Sequence, residues 1–131
     1  MMRRLLLALS LILPLSACRA DTPPQTLAAI QNGSHVLIDV RTSEEFAAGH
    51  LQGARLIPHY RIGAEISALA PDKNTPIVLY CRSGRRSNIA RQTLLQLGYT
   101  QVVDAGSYEQ LKADLAAAGA DADACSPTTK C

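Results

Sequence analysis

An unbroken apolar run, Ile77-Val78-Leu79-Tyr80, leads without a turn residue into Cys81. Arg82-Ser83-Gly84-Arg85-Arg86-Ser87 follow before a helical pattern begins. Consecutive apolar residues, unlike alternating ones, mark a strand buried on both faces, which belongs in a parallel sheet covered by helices. A second such run, residues 35–40 (HVLIDV), lies upstream, and shorter strand patterns occupy residues 54–57, stopped by Pro58, and residues 101–104.

Helical signals fall between these runs. Leu27, Ala28 and Ile30 support a brief first helix that ends near Asn32-Gly33. Ser43-Glu44-Glu45-Phe46 has the form of a helix start, with Thr42 or Ser43 as cap and acidic residues in the first turn. Residues 62–69 form a helix ended before Pro71. Residues 86–97 place Ile89, Ala90, Thr93, Leu94 and Leu97 on one stripe, with Gly98 as terminator. Tyr108, Leu111 and Leu115 mark a closing helix. Strands alternating with helices predict an α/β domain built on an open parallel sheet with helices on both faces.

In such sheets the ligand crevice opens at the carboxyl ends of the strands, where Cys81 stands. Arginines and a helix N-terminus both lower a thiol pKa and so favour the nucleophilic thiolate. Backbone N–H groups of a loop entering a helix also make a concavity for an anion. The segment therefore predicts a reactive sulfur beside a site for a small anion. The alternative is a structural cysteine at a strand end, since free cysteine is a common core residue.

The N-terminal residues read differently. Met1-Met2-Arg3-Arg4 is basic, and the apolar run that follows, residues 5–15, is too short to span a bilayer, which predicts a signal peptide over residues 1–17. Leu15-Ser16-Ala17-Cys18 resembles a bacterial lipobox, which would leave a lipidated Cys18 as a membrane tether; cleavage after Ala20 is the competing reading. Both predict a periplasmic protein, lipid-anchored in the first case and soluble in the second. Residues 18–25, with Pro23-Pro24, read as a linker, residues 26–115 as the domain, and residues 116–131 as a flexible Ala/Gly/Asp-rich tail. Cys125 and Cys131 could close a small disulfide ring in that tail.

Thirteen Lys and Arg face eleven Asp and Glu. Arg3 and Arg4 lie in the leader, so the remainder is balanced, and the basic cluster is local to the Cys81 loop. That excludes the broad basic face of a nucleic-acid binder and favours a small anionic ligand. No ligand spacing links His35, His50 and His59, so no metal is expected.

Three segments in order resemble the single-domain rhodanese family of thiosulfate sulfurtransferases. They are Asp39-Val40-Arg41 with Glu45-Phe46; the stretch from Phe46 through Gly49-His50-Leu51-Gln52-Gly53-Ala54 to Ile57-Pro58; and Cys81-Arg82-Ser83-Gly84-Arg85-Arg86. The resemblance spans residues 26–115. It implies that Cys81 takes the outer sulfur of thiosulfate as a persulfide and passes it to a thiol or to cyanide, with no cofactor. It implies that Arg82, Ser83, Gly84, Arg85 and Arg86 bind the donor, while Asp39, Arg41 and His50 support the site. His59, Tyr60 and Arg61 are candidates for the rim. The chain departs from the family pattern at Asp104-Ala105-Gly106, which stands where a double glycine is common, and no tryptophan follows.

Related phosphatases and arsenate reductases place five residues between cysteine and arginine. Here Arg86 follows after four, and Ser87 holds the position of their arginine. The shorter loop favours sulfur over a tetrahedral oxyanion. A persulfide carrier or binding module with little turnover is the other alternative. A monomer or weak dimer is expected.

Overall fold

The computed structural model describes residues 21–124, so Cys18, Cys125 and Cys131 lie outside the described residues. The chain order is α1 (Pro24–Gln31), β1 (Val36–Asp39), α2 (Ser43–Ala48), β2 (Arg55–Leu56), α3 (Ile62–Leu69), β3 (Ile77–Cys81), α4 (Arg85–Gln96), β4 (Val102–Ser107) and α5 (Tyr108–Ala124). The four strands form one sheet in the order β2-β1-β3-β4, and every pairing is parallel. This is the expected α/β architecture.

All five residues of β3 are buried, as the continuous apolar run requires of a central strand. Alternation along β3 sends Ile77, Leu79 and Cys81 to one face and Val78 and Tyr80 to the other. The first set packs with Ile38 and Val40, with Ile62 and Ile66 of α3, and with Ala90 and Leu94 of α4. The second packs with Leu37, with Leu27 of α1 and with Leu111 of α5. Each fully buried Leu or Ile contributes about 1.5–3 kcal/mol from burial alone, so the two clusters hold the sheet between its helices.

Several boundaries differ from the sequence reading. Residues 21–25 are not a free linker. Thr22 is buried and its N–H donates to Asp114 Oδ2 at 3.0 Å, while Pro24 opens α1, where a missing N–H costs nothing. The tail does not fray at Ala116; α5 continues to Ala124, with Ala118 packed against the Leu27–Leu111 cluster. Alanine is the best helix former, so a run rich in it extends a helix already anchored at Leu111. On α4 the buried residues are Ser87, Ala90 and Leu94, whereas Ile89 and Leu97 are exposed. The helix is turned so that its polar Ser87, rather than Ile89, faces inward.

Candidate active site

β3 ends in Cys81, whose residue is fully buried at the floor of the loop that opens α4. The Gly84 N–H donates to Cys81 Sγ at 2.9 Å, and the Ser87 hydroxyl lies 3.5 Å from the same sulfur. Gly84 reaches this position at φ +93°, a left-handed conformation that glycine alone adopts without penalty. A Cβ there would stand 3.5 Å from Gly106 Cα, itself at φ +76°. Of the Asp104-Ala105-Gly106 segment, the retained glycine is thus the one that faces the loop.

Burial pushes the Cys81 thiol pKa up. Hydrogen bonds from the Ser87 hydroxyl and from the N–H groups of Ser87, Ser83 and Gly84 outweigh it, and the net shift is downward. The α4 N-terminus adds its positive end in the same direction. Oriented N–H groups that stabilise thiolate would equally stabilise a terminal sulfur anion bound to it.

The three arginines of the loop divide. Arg82 and Arg85 are exposed and make no ion pair with any described residue. Arg86 does not: its Nη1 and Nη2 donate to Glu45 Oε2 and Oε1 at 2.7 and 2.9 Å. The carboxylate engages two of the guanidinium's five N–H groups and offsets its charge, which weakens the Arg86 side chain as a ligand for a donor anion. Glu45 is in turn fixed by a capping box, with its Oε2 accepting from Thr42 N–H and its own N–H donating to Thr42 Oγ1. Arg86 holds the Glu45 carboxyl down at about pKa 2.

Asp39 and Arg41 form the expected ion pair. Arg41 Nε and Nη2 donate to the Asp39 carboxylate at 2.6–3.0 Å, Nη2 also donates to Gly49 O, and both residues are buried. The guanidinium lies 4.4 Å from the Tyr108 ring centroid, and Tyr108 stacks on Tyr80. Tyr80 Oη accepts the Leu51 N–H at 3.1 Å, tying β3 to the loop before β2. His50 is exposed, with its ring stacked on Phe46 and Nδ1 2.9 Å from Phe46 O. It supports the end of α2 and not the Cys81 loop directly. His59 and Tyr60 meet edge to face and Arg61 pairs with Glu65. A cleft of about 420 Å³ opens beside the loop, lined by Arg41, Glu45, Gly49, Arg82, Tyr108 and Glu109 among others, and none of residues 59–61 borders it.

The family model described as "Rhodanese-like domain" matches residues 22–114, a span that holds the whole of this site. The chain belongs to the rhodanese-like domain family. The thiosulfate sulfurtransferase PspE of Escherichia coli is 39% identical over 74 residues, covering 56% of this chain and 71% of that protein. A solved rhodanese with anions, also from E. coli, superposes with a TM-score of 0.57 at 38% identity, over 58% of this chain and 89% of that one. The human single-domain sulfurtransferase TSTD1 superposes at 0.61 with 31% identity, over 69% and 91%.

Within this rhodanese-like site, sequence reasoning missed what two residues do. Ser87 entered only as the occupant of a phosphatase position, yet it is fully buried with its hydroxyl at the sulfur. A small hydroxyl residue in the first turn of the helix after the cysteine was the available signal. Glu45 is legible in sequence as a first-turn acid and as part of the Glu45-Phe46 segment, but its bond to Arg86 spans 41 residues, which no local pattern encodes.

Proposed function

We propose that this protein is a sulfurtransferase that carries sulfane sulfur on Cys81. The observation that carries this reading is the thiol held at the mouth of a helix, with the Gly84 N–H and the Ser87 hydroxyl directed at its sulfur. The Cys81 thiolate attacks the outer sulfur of thiosulfate. A new bond forms between Sγ and that sulfur, the S–S bond of the donor breaks, and its electron pair leaves with sulfite. A nucleophilic acceptor, a thiolate or cyanide, then attacks the outer sulfur of the persulfide and returns the electron pair to Sγ. Ser83, Gly84 and the first N–H groups of α4 stabilise the anionic sulfur, and exposed Arg82 and Arg85 attract the donor dianion. The relationship to thiosulfate sulfurtransferases supports this donor. The loop opposes the phosphatase alternative, since Ser87 stands at the position of the phosphatase arginine and the charge of Arg86 is already offset by Glu45.

The proposal extends to export. The basic start, the apolar run to Leu15 and the Leu15-Ser16-Ala17-Cys18 motif support a periplasmic protein tethered through a lipid on Cys18.

The test is intact mass before and after thiosulfate, then after cyanide. A gain of one sulfur atom, absent in Cys81→Ser and removed by cyanide, establishes the cycle. A persulfide that forms but is not discharged by any acceptor would favour the carrier reading, and no gain on folded, reduced protein would overturn thiosulfate as donor.

A further inference from the structure

The segment between Cys18 and the domain reads as a spacer in sequence, but the fold leaves little of it free. Thr22 is buried with its N–H on Asp114 Oδ2 at 3.0 Å, and α1 begins at Pro24. Four residue steps separate Cys18 from Thr22, a reach of at most about 14 Å when fully extended. That is less than the width of the domain, since about 100 residues fold to a radius of gyration of about 13 Å. The surface beside this entry point is nearly uncharged. No Asp, Glu, Lys or Arg occurs from Pro23 to Ser34, a span that contains all of α1. Ala117 and Ala118 of α5 form a shallow groove of about 290 Å³ with Pro24, Leu27 and Ala28 of α1. Of the two acids that border it, Asp114 accepts from Thr22 and Gln110, and Asp21 is exposed. Glu109 and Lys112 lie earlier in α5, toward its Tyr108 end. Cys81 is on the other side of the sheet. It packs with residues of α3 and α4, whereas α1 and α5 supply Leu27 and Leu111 to the opposite face, with Val78 and Tyr80.

We propose that a lipid on Cys18 holds the α1/α5 face against the membrane surface, and that the Cys81 loop is thereby turned to the aqueous side. The inference rests on the reading of Cys18 as lipidated. A face of small uncharged side chains approaches the headgroups without stripping water from ions. A helix layer about 10 Å thick, and the sheet behind it, separate the Cys81 loop from the leaflet. That exceeds the Debye length of about 8 Å at physiological ionic strength, so a dianionic donor meets Arg82 and Arg85 outside the field of an anionic leaflet. The short tether sets the orientation, with no need for a specific lipid contact.

The chain has no tryptophan, so single reporters can be placed without background. Gln25→Trp and Ala28→Trp mark the exposed side of α1, and Gln92→Trp marks that of α4. Each full chain is expressed with its leader in a bacterial host, checked by mass for acylated Cys18 and by circular dichroism for its fold. It is then reconstituted in vesicles of phosphatidylethanolamine and phosphatidylglycerol that carry dansyl-labelled headgroups. Energy transfer to dansyl is expected to be about threefold or more greater from either α1 reporter than from Gln92→Trp, because the sheet lies between the two helix layers. A flexible Gly/Ser insert of about twelve residues between Ala20 and Asp21 should lower the α1 signals and bring the three reporters together. Equal transfer from α1 and α4 in acylated protein overturns the proposal, as does greater transfer from α4. A difference that the insert leaves unchanged also overturns it, since the tether then does not set the orientation. Protein without a lipid on Cys18 instead overturns the underlying reading, and mass shows that failure before any vesicle is made.

Discussion

Glu45 grips Arg86 through both carboxylate oxygens, at 2.7 and 2.9 Å, and so fastens α2 to the loop that holds Cys81. The contact joins two segments that are far apart in the chain and sets the loop from outside. Glu45→Gln removes the charge and leaves Arg86 partly buried without its counterion. A loss on the order of 2 kcal/mol is expected at neutral pH, tempered by the partial exposure of both groups. The pH dependence has a definite sign. The Glu45 carboxyl falls from its ordinary 4.5 to about 2 on folding, so its contribution is complete above 4.5 and declines as pH falls toward 2. Denaturant midpoints of wild type and variant should differ most at pH 7 and converge below pH 3. A constant gap would mean that the ion pair does not supply the stability.

Ser87 acts on the sulfur itself. Ser87→Ala removes the hydroxyl 3.5 Å from Sγ and leaves the Gly84 N–H in place. The thiol pKa should rise, so the midpoint of alkylation by iodoacetamide moves to higher pH while the fold is kept. Persulfide formation at neutral pH should slow by about tenfold or less, because one hydrogen bond to an anion contributes about 1–2 kcal/mol. An unchanged alkylation profile would assign the hydroxyl to Gly84 O, which lies 3.1 Å from it, and not to the thiolate.

The contrast between Ser87 and Glu45 on one side and Cys81 on the other shows what the sequence encodes. The runs Val36–Asp39, apolar up to Ile38, and Ile77–Cys81 are forced by burial on both faces, and so are legible in one dimension. β4 was not legible in full. It extends through Asp104, Ala105 and Gly106 to Ser107, residues with poor strand preference, because a register shift beside Leu79 and Cys81 brings Ser107 opposite the cysteine. The loop motif located the nucleophile. It could not say which of three arginines is free, since that depends on a carboxylate 41 residues away. The inward turn of α4 was likewise hidden, because Ile89 and Leu97 fit the apolar stripe as well as Ala90 and Leu94 do.

Asp39 and Arg41 form a pair buried beneath the cleft, and breaking it from one side should be severe. Asp39→Asn keeps the shape and leaves the Arg41 guanidinium with a carbonyl and an aromatic face but no counterion. A loss of about 3–5 kcal/mol is expected, read as a lower midpoint in urea. Replacing both residues with apolar side chains should cost less than the single change, because no uncompensated charge is then buried. If the single and double variants unfold at the same midpoint, the pair contributes through packing alone.

Gly84 and Gly98 offer a matched comparison at the two ends of α4. Both hold left-handed backbone, at φ +93° and +94°. An alanine at either position should cost about 1–2 kcal/mol for that conformation. Their surroundings differ in consequence rather than in crowding. A Cβ on Gly98 meets nothing within 4 Å, and one on Gly84 makes ordinary contact with Gly106 Cα. Gly84→Ala, however, favours a backbone rotation that withdraws the N–H now 2.9 Å from Cys81 Sγ. Both variants should therefore lose similar stability, while only Gly84→Ala shifts the alkylation profile of Cys81 to higher pH and slows its uptake of sulfur. Equal alkylation profiles for the two variants would show that the Gly84 amide does not stabilise the thiolate.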